Sequence, residues 1–507
     1  APPPPLPRMV RPPSTTPEIG GVDLNSVVTE VDLGDDGRTV SATVVITLTA
    51  NDVLGNALYL MVDEGLTFHT VDGTAYSPMV SEQAYPPFNY GTLSFQTPVP
   101  AGETVSVTIG FSGVLQCNPY GARESRYCGG DGSTSFYQAG GLFAMVIDYQ
   151  DPYGTLVYER HLTFHTSASL DLLPSADFVS DEVIGDRKTT VYHAAPFTSG
   201  MNMILLTGNF ESIEVPGTTP PAKVYYPAGS SEWAQEMADW TAPIFQWLTE
   251  QSGDIFPFGG VNIFKLPPLA GFPGTATYGM VYLAESYSLR GPEWFEEILA
   301  HEISHLWWGI LASPSDLYSC NLMVEGMAVQ SQYDYIYDTY YSAQDRTAWL
   351  GEKYKNGKLL LWYITDPETL PDIMLPQGQQ WPSTVNEQVV WAYYKTSSTL
   401  DHLRVLMGEE HYKAGLRAYA QECVPQVCDT LDVQRIMEDA AGEDLTWFFE
   451  QFVFDSNYPV ITAGFEPGEG EVVVTLGQEG ALTLDMELWL YLEDGTVQTD
   501  RARLAGG

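Results

Sequence analysis

The chain has 507 residues, more than one ordinary hydrophobic core would use, and its 22 basic against 65 acidic side chains leave a net charge of −43. Only 17% of residues are charged, so the imbalance is a scarcity of Lys and Arg, and the resulting surface repels phosphate backbones and anionic headgroups. Nucleic acid and membrane surfaces are poor partner candidates on that ground, and no apolar run reaches the ~18 residues of a membrane span.

Residues 1–21 are Pro-rich and read as an extended linker. From 22 to 215 the pattern has a period of two: Val40, Ala42, Val44, Ile46 and Leu48 alternate with polar neighbours, and Val105, Val107, Ile109 and Phe111 repeat it. Asp36-Gly37 between apolar runs signals a hairpin. This stretch is expected to be an all-β domain with one solvated sheet face. The segment VPGTTPPAKVYYP then reads as a connector. Beyond it the period changes to that of helices, expected near 231–252, 292–311, 325–340, 395–421 and 430–441, with Gly253 and Gly442 at C-caps. After Pro459 alternation returns, with Asp494-Gly495 as a turn. The 461–507 segment is too short for an independent sandwich, so it either packs on the other domains or continues in a longer precursor.

Five cysteines occur. Cys117 with Cys128 and Cys423 with Cys428 are short-range pairs that read as disulfides, and Cys320 is left as a buried thiol. Disulfides imply an oxidising compartment, and a start at Ala1 without a signal segment suggests a secreted, mature form.

The chemistry concentrates in EWFEEILAHEISHLWWGIL. Helical spacing places His301 and His305 one turn apart on one face, their Cβ atoms ~5–6 Å from each other, so both imidazoles can reach one Zn2+. Glu302, rotated by ~100° from His301, falls beside the metal, where it can accept a proton from the attacking water. Glu325 opens the next helical segment and supplies a carboxylate as third ligand. Two neutral histidines and one carboxylate leave a position open, as a catalytic zinc site requires. His161 and His165 are also four apart, but on a strand, where four residues span ~13 Å and cannot share an ion. His69, His193, His402 and His411 read as isolated packing or surface residues.

At these motifs the chain resembles the M1 family of gluzincin zinc metallopeptidases, the aminopeptidase N and leukotriene A4 hydrolase group. HEISHLWWG is similar to the family's HExxHxWxG and VEGMA to its NEGFA. WAYYKTSSTLDHLRVLMGEEHYKAGLRAYAQE and TWFFEQFVFDSNYPVIT resemble its later segments. The resemblance covers nearly all of 22–465. It implies a multidomain α+β protein: an N-terminal β saddle or sandwich over 22–215, a thermolysin-like, mainly helical zinc catalytic domain over 216–460, and the start of a C-terminal β segment over 461–507.

The resemblance also implies roles. The family's Tyr-x-Lys falls on Tyr393-Tyr394-Lys395, making Tyr393 the candidate to donate a hydrogen bond to the oxyanion, with Tyr394 its close competitor. The family's substrate-binding edge strand should lie in GFPGTATYGMVYLAES, with Ala276, Thr277 and Gly279 against the peptide. Three departures stand out: the loop between His305 and Glu325 is one residue longer than the family pattern, Val324 replaces the Asn before the ligand Glu, and Ala276 stands where the amine-binding Glu should be. The implied activity is hydrolysis of a peptide or protein substrate with one zinc per chain. N-terminal removal is the family default, and the loss at Ala276 opens endopeptidase or oligopeptidase action. A non-catalytic zinc-binding surface protein is the alternative of a different class. Oligomeric state is not legible.

Overall fold

The protein is described by a computed structural model, over residues 21–73, 75–85, 88–116, 126–128, 134–138, 145–148, 158–194, 204–256, 259–266, 273–284, 292–315, 319, 321–341, 390–424, 427–455, 460–468, 471–479, 482–492 and 496–504. The Pro-rich linker, Cys117, Cys320 and the Asp494-Gly495 turn lie outside the described residues, as does the Cys128 side chain.

The alternation read over 39–50 produces the Thr39–Ala50 strand, in which Val40, Ala42, Val44, Ile46, Leu48 and Ala50 are all buried. It hairpins with Val22–Leu33 through the expected Asp36-Gly37 turn: Asp36 Oδ1 accepts from the Arg38 and Thr39 amides, and Gly37 adopts φ +64°. These strands sit in a seven-stranded sheet. From edge to edge it runs Asp177–Ile184, Arg187–Ala194, Glu159–Ser167, Val22–Leu33, Thr39–Ala50, Thr104–Val114 and Leu66–Asp72. All its pairings are antiparallel except Val22–Leu33 with Glu159–Ser167. Its buried face, with the four-stranded sheet built around Leu54–Asp63 and Phe88–Val99, forms one core.

The supposed connector is a structural element. VPGTTPPAKVYYP turns Glu211–Val215 back onto Ala222–Tyr226, which enters a five-stranded sheet. The prolines of the turn dominate the local composition and hide a five-residue strand whose Ala222, Val224 and Tyr226 are buried. That sheet continues through Val261–Leu266 and Met280–Ala284 to Gly274–Thr277 at its edge. Met280–Ala284 is buried at every position, as its unbroken apolar run requires.

Helices Ser231–Ser252 and Thr430–Ala441 have the expected bounds. The second begins with the Asp429 side chain accepting from the Leu431 and Asp432 amides and ends at left-handed Gly442. Two other helices differ from expectation. The 292–311 helix stops at Ser304, and the chain leaves through a tight turn in which Gly309 has φ +98°. Leu306 and Ile310 kept the helical period because both are buried whatever the backbone does. The 395–421 helix is three pieces: a π-turn Val390–Lys395, then Thr396–Met407 and Glu409–Glu422, broken at Gly408 with φ +80°. The helices, the five-stranded sheet and Leu484 from the C-terminal strands share the second large core. The C-terminal strands pair as Val460–Pro467 with Val472–Glu479 and Leu484–Tyr491 with Val497–Leu504. The second hairpin packs Met486 and Leu504 on the helical core, while Val460–Pro467 is exposed throughout. The fold is thus an N-terminal β-rich region, a helical middle with its own sheet, and C-terminal strands.

Candidate metal centre

Three chain segments meet at the buried end of the Pro292–Ser304 helix. His301 lies in its last turn, and His305 follows its end but keeps the helical bond from its amide to the His301 carbonyl, 3.2 Å. Glu325 arrives on a π-turn, Asn321–Gly326, which leads into the Met327–Tyr340 helix. The His301 and His305 Nε2 atoms are 3.1 Å apart, and Glu325 Oε2 is 3.4 and 3.6 Å from them. A tetrahedral zinc with bonds of ~2.0–2.1 Å places its ligand atoms about 3.3 Å apart. The observed triangle fits that ion without rearrangement.

Two further observations fit the same group. Glu325 Oε2 is buried with no hydrogen bond among the described residues, which is costly for a carboxylate oxygen unless a cation faces it. His305 Nδ1 lies 3.3 Å from the Trp308 carbonyl; donating there leaves Nε2 as the lone pair aimed at the centre.

Charge in the cluster follows from burial and proximity. Burial alone would lower His305, but the Glu325 carboxylate holds its imidazolium up to about 9. Burial would raise Glu325, yet the two imidazoles pull its carboxyl well below the usual range. Glu302 is 5% exposed; burial raises its carboxyl and Glu325 adds to this, against the pull of both histidines.

The glutamate's position is set by a residue the sequence reading passed over. Gly274, at the start of the edge strand, lies so close that a Cβ there would stand 2.7 Å from Glu302 Cγ and Oε1. The signal available was a glycine two residues before Ala276, with no bulk where a peptide would approach. Ala276 is half-buried on this strand, opposite Val281; Thr277 is fully buried, and Gly279 forms the turn at φ +64°. So the edge strand exists, but Thr277 and Gly279 belong to its packing and its turn. Glu296 and Glu297, unremarked in the sequence, are buried one turn before His301. They accept from Tyr335 and Tyr340 and from Gln332, at 2.6–2.8 Å, and so brace this helix against the one that carries Glu325.

Tyr393 and Tyr394 lie on the second π-turn, Val390–Lys395. Tyr393 stacks on the His301 ring, centroids 5.8 Å apart and planes 18° from parallel. Burial, the Glu325 and Glu302 charges and a hydrogen bond to Glu325 push its phenol well above the ordinary value, so it stays protonated. Tyr394 turns away and hydrogen-bonds Tyr333. Elsewhere His161 and His165 lie on the Glu159–Ser167 strand as expected, and His402 packs on Phe448 and Phe452 with a bond to the Asp485 carbonyl. His193 is not isolated: it faces His161 and Glu159 across the sheet, a proximity that sequence separation concealed.

The fold is similar to that of solved zinc metallopeptidases, and His301, His305 and Glu325 form a group that could hold a metal ion. Residues 273–452 match the Peptidase family M1 domain. Aminopeptidase 2 of Candida albicans is 20% identical over 307 residues, 57% of this chain and 32% of that protein. Aminopeptidase N of Escherichia coli is 23% identical over 199 residues, 38% of this chain and 21% of its own length. The chain therefore spans about a third or less of the length of these curated relatives. Among solved structures, an M1 zinc metallopeptidase from Deinococcus radiodurans is similar with a TM-score of 0.62 at 16% identity, covering 87% of this chain and 95% of that one. A mutant of the M1 zinc metallopeptidase from the same organism, bound to a Tyr-Ser-Ala substrate, gives 0.63 at 15%, covering 87% and 96%. At such identity these structures establish the shared two-domain fold.

Proposed function

We propose that the chain hydrolyses peptide bonds with one zinc held by His301, His305 and Glu325. The observation that carries this reading is the triangle of 3.1, 3.4 and 3.6 Å between their ligand atoms, with an otherwise unpartnered buried carboxylate oxygen at its apex. When bound, the zinc supplies Lewis acidity to the scissile carbonyl and to water. Glu302, raised by its burial, takes a proton from the attacking water and returns it to the leaving amine. Tyr393 keeps its proton and donates a hydrogen bond to the oxygen that gains charge in the transition state. The Gly274–Thr277 strand lies at the edge of its sheet beside Glu302, where an extended peptide would add.

Removal of N-terminal residues is the finer reading, supported by the names of the relatives and by the strongly negative surface, which attracts an α-ammonium group. Ala276 favours a second reading. A methyl group on the edge strand cannot pair with an ammonium, so cleavage within a chain is sterically and electrostatically open at that point. The approach of Cys423 and Cys428, Cα atoms 5.7 Å apart, supports a disulfide and with it secretion into an oxidising compartment.

One experiment separates these readings: digestion of a peptide set with free and with acetylated N-termini, with and without a zinc chelator. Chelator-sensitive loss of single residues from free ends alone is the expected result. Internal cleavage regardless of blocking establishes the endopeptidase instead. Zinc uptake with no turnover of any peptide overturns peptide hydrolysis altogether.

A further inference from the structure

The strands Glu159–Ser167 and Arg187–Ala194 pair antiparallel with His161 directly opposite His193. Opposed residues carry their Cβ atoms ~4.5–5.5 Å apart on one face, and here the two rings lie 4.9 Å apart, 33° from parallel. Glu159 precedes His161 by two residues and so shares that face. Its Oε1 stands 2.9 Å from His193 Nε2 and 3.5 Å from His161 Nε2. One carboxylate oxygen thus faces two ring nitrogens, and one ligand atom from each of the three residues lies within 4.8 Å of the others.

We propose that Glu159, His161 and His193 form a second site for a divalent transition-metal ion, on the N-terminal sheet and separate from the centre at Glu325. Two imidazoles and a carboxylate suit zinc, copper or nickel, whereas magnesium and calcium prefer an all-oxygen shell. The observed 2.9 and 3.5 Å separations bracket the ~3.3 Å edge of a tetrahedral site, so side-chain rotation alone admits an ion. The backbone beneath is rigid: Arg160, Leu162, Tyr192 and Ala194, alternating with the ligands, are buried. The side chains themselves are 46%, 44% and 35% exposed for His161, Glu159 and His193, which leaves coordination positions for water or an external donor. The net charge of −43 concentrates cations at such a surface.

Neighbouring groups do not enlarge the site. His165, farther along the same strand, is held 2.9 Å from both Thr189 Oγ1 and Glu30 Oε1. Asp177, opposite His193 on the next strand, accepts from the Gly259 amide and the Tyr278 hydroxyl.

The test is a titration of the metal-stripped full chain with Zn2+ and, separately, Cu2+, with stoichiometry read by calorimetry and metal analysis. The wild type should take two equivalents. A His301→Ala variant, crippled only at the Glu325 centre, should still take one, which makes this outcome independent of the proposed peptidase chemistry. Adding His193→Ala to that variant should abolish it, and Glu159→Gln, which keeps the side-chain shape, should weaken it. Paramagnetic resonance of the copper bound by His301→Ala should show two coordinating nitrogens. No binding by folded His301→Ala, or binding that survives His193→Ala, overturns the proposal.

Discussion

Replacing Gly274 by Ala should lower turnover while leaving metal and fold in place. The backbone there is outside the left-handed region, so an Ala is tolerated conformationally, and loss of glycine's freedom in the unfolded chain adds ~0.4–1 kcal/mol of stability. The added Cβ, however, would stand 2.7 Å from Glu302 Cγ and Oε1 and 2.9 Å from Cδ. Carbon contacts settle near ~3.5–4.0 Å, so the carboxylate must retreat by about 0.8–1.3 Å. A displacement of ~1 Å at a reacting group costs up to ~10²-fold in rate, or about 2.7 kcal/mol of activation free energy. Steady-state kinetics on a peptide that the wild type cleaves in the digestion should therefore show kcat reduced by about 10- to 100-fold. Zinc content and thermal midpoint should match the wild type. Wild-type kcat in a zinc-replete, folded Gly274→Ala protein would refute the idea that Glu302 acts from its place against the edge strand.

Glu302→Gln should bind zinc normally and lose turnover, since an amide keeps the shape but cannot take the proton; substantial residual hydrolysis would reassign the base. Tyr393→Phe should reduce kcat by about 10²–10³-fold, the usual cost of one oxyanion donor, whereas Tyr394→Phe, which loses a bond to Tyr333, should leave kcat near wild type. In the metal-free protein His305 is held protonated up to about 9. Zinc requires the neutral ring, so the metal competes with a proton below that pH. Apparent zinc affinity should rise as pH climbs from 6 toward about 9, with close to one proton released at neutrality; calorimetry in buffers of different ionisation enthalpy would detect its absence.

Much of this centre was legible because helices place residues four apart on one face: His301 and His305 needed nothing else to be paired. Glu325 could be read too, from its place at the start of the next helical segment, and strand alternation gave the buried face of Thr39–Ala50 residue by residue. What escaped depended on contact between distant segments. Gly274 matters only because the sheet lays its edge against Glu302, 28 positions onward. His193 seemed solitary because its partners lie on another strand. The Ala222–Tyr226 strand was masked by the prolines before it, and the Ser304 helix end by apolar residues that stay buried in the turn beyond it.

The two π-turns belong to the same argument. Glu325 was read as an ordinary helical residue and Tyr393 fell just before the expected 395–421 helix, yet each occupies a widened turn at the start of its helix. The turns pack on each other: a Cβ at Gly326 would stand 2.3 Å from the Thr396 methyl, so only glycine lets the segment carrying Glu325 approach the one carrying Tyr393 so closely. Widening a turn rotates the side chains that precede the regular helix relative to those that follow it. Here it turns Tyr393 onto the His301 ring while Thr396, Ser397 and Leu400 remain in the core. A regular α-turn would have to surrender either the packing or the alignment. Each π-turn spans only six residues, too short a stretch for the helical period read along the sequence to reveal it. Placement of Glu325 and of Tyr393 is therefore a property of two neighbouring irregular turns, fixed against each other at Gly326 and Thr396.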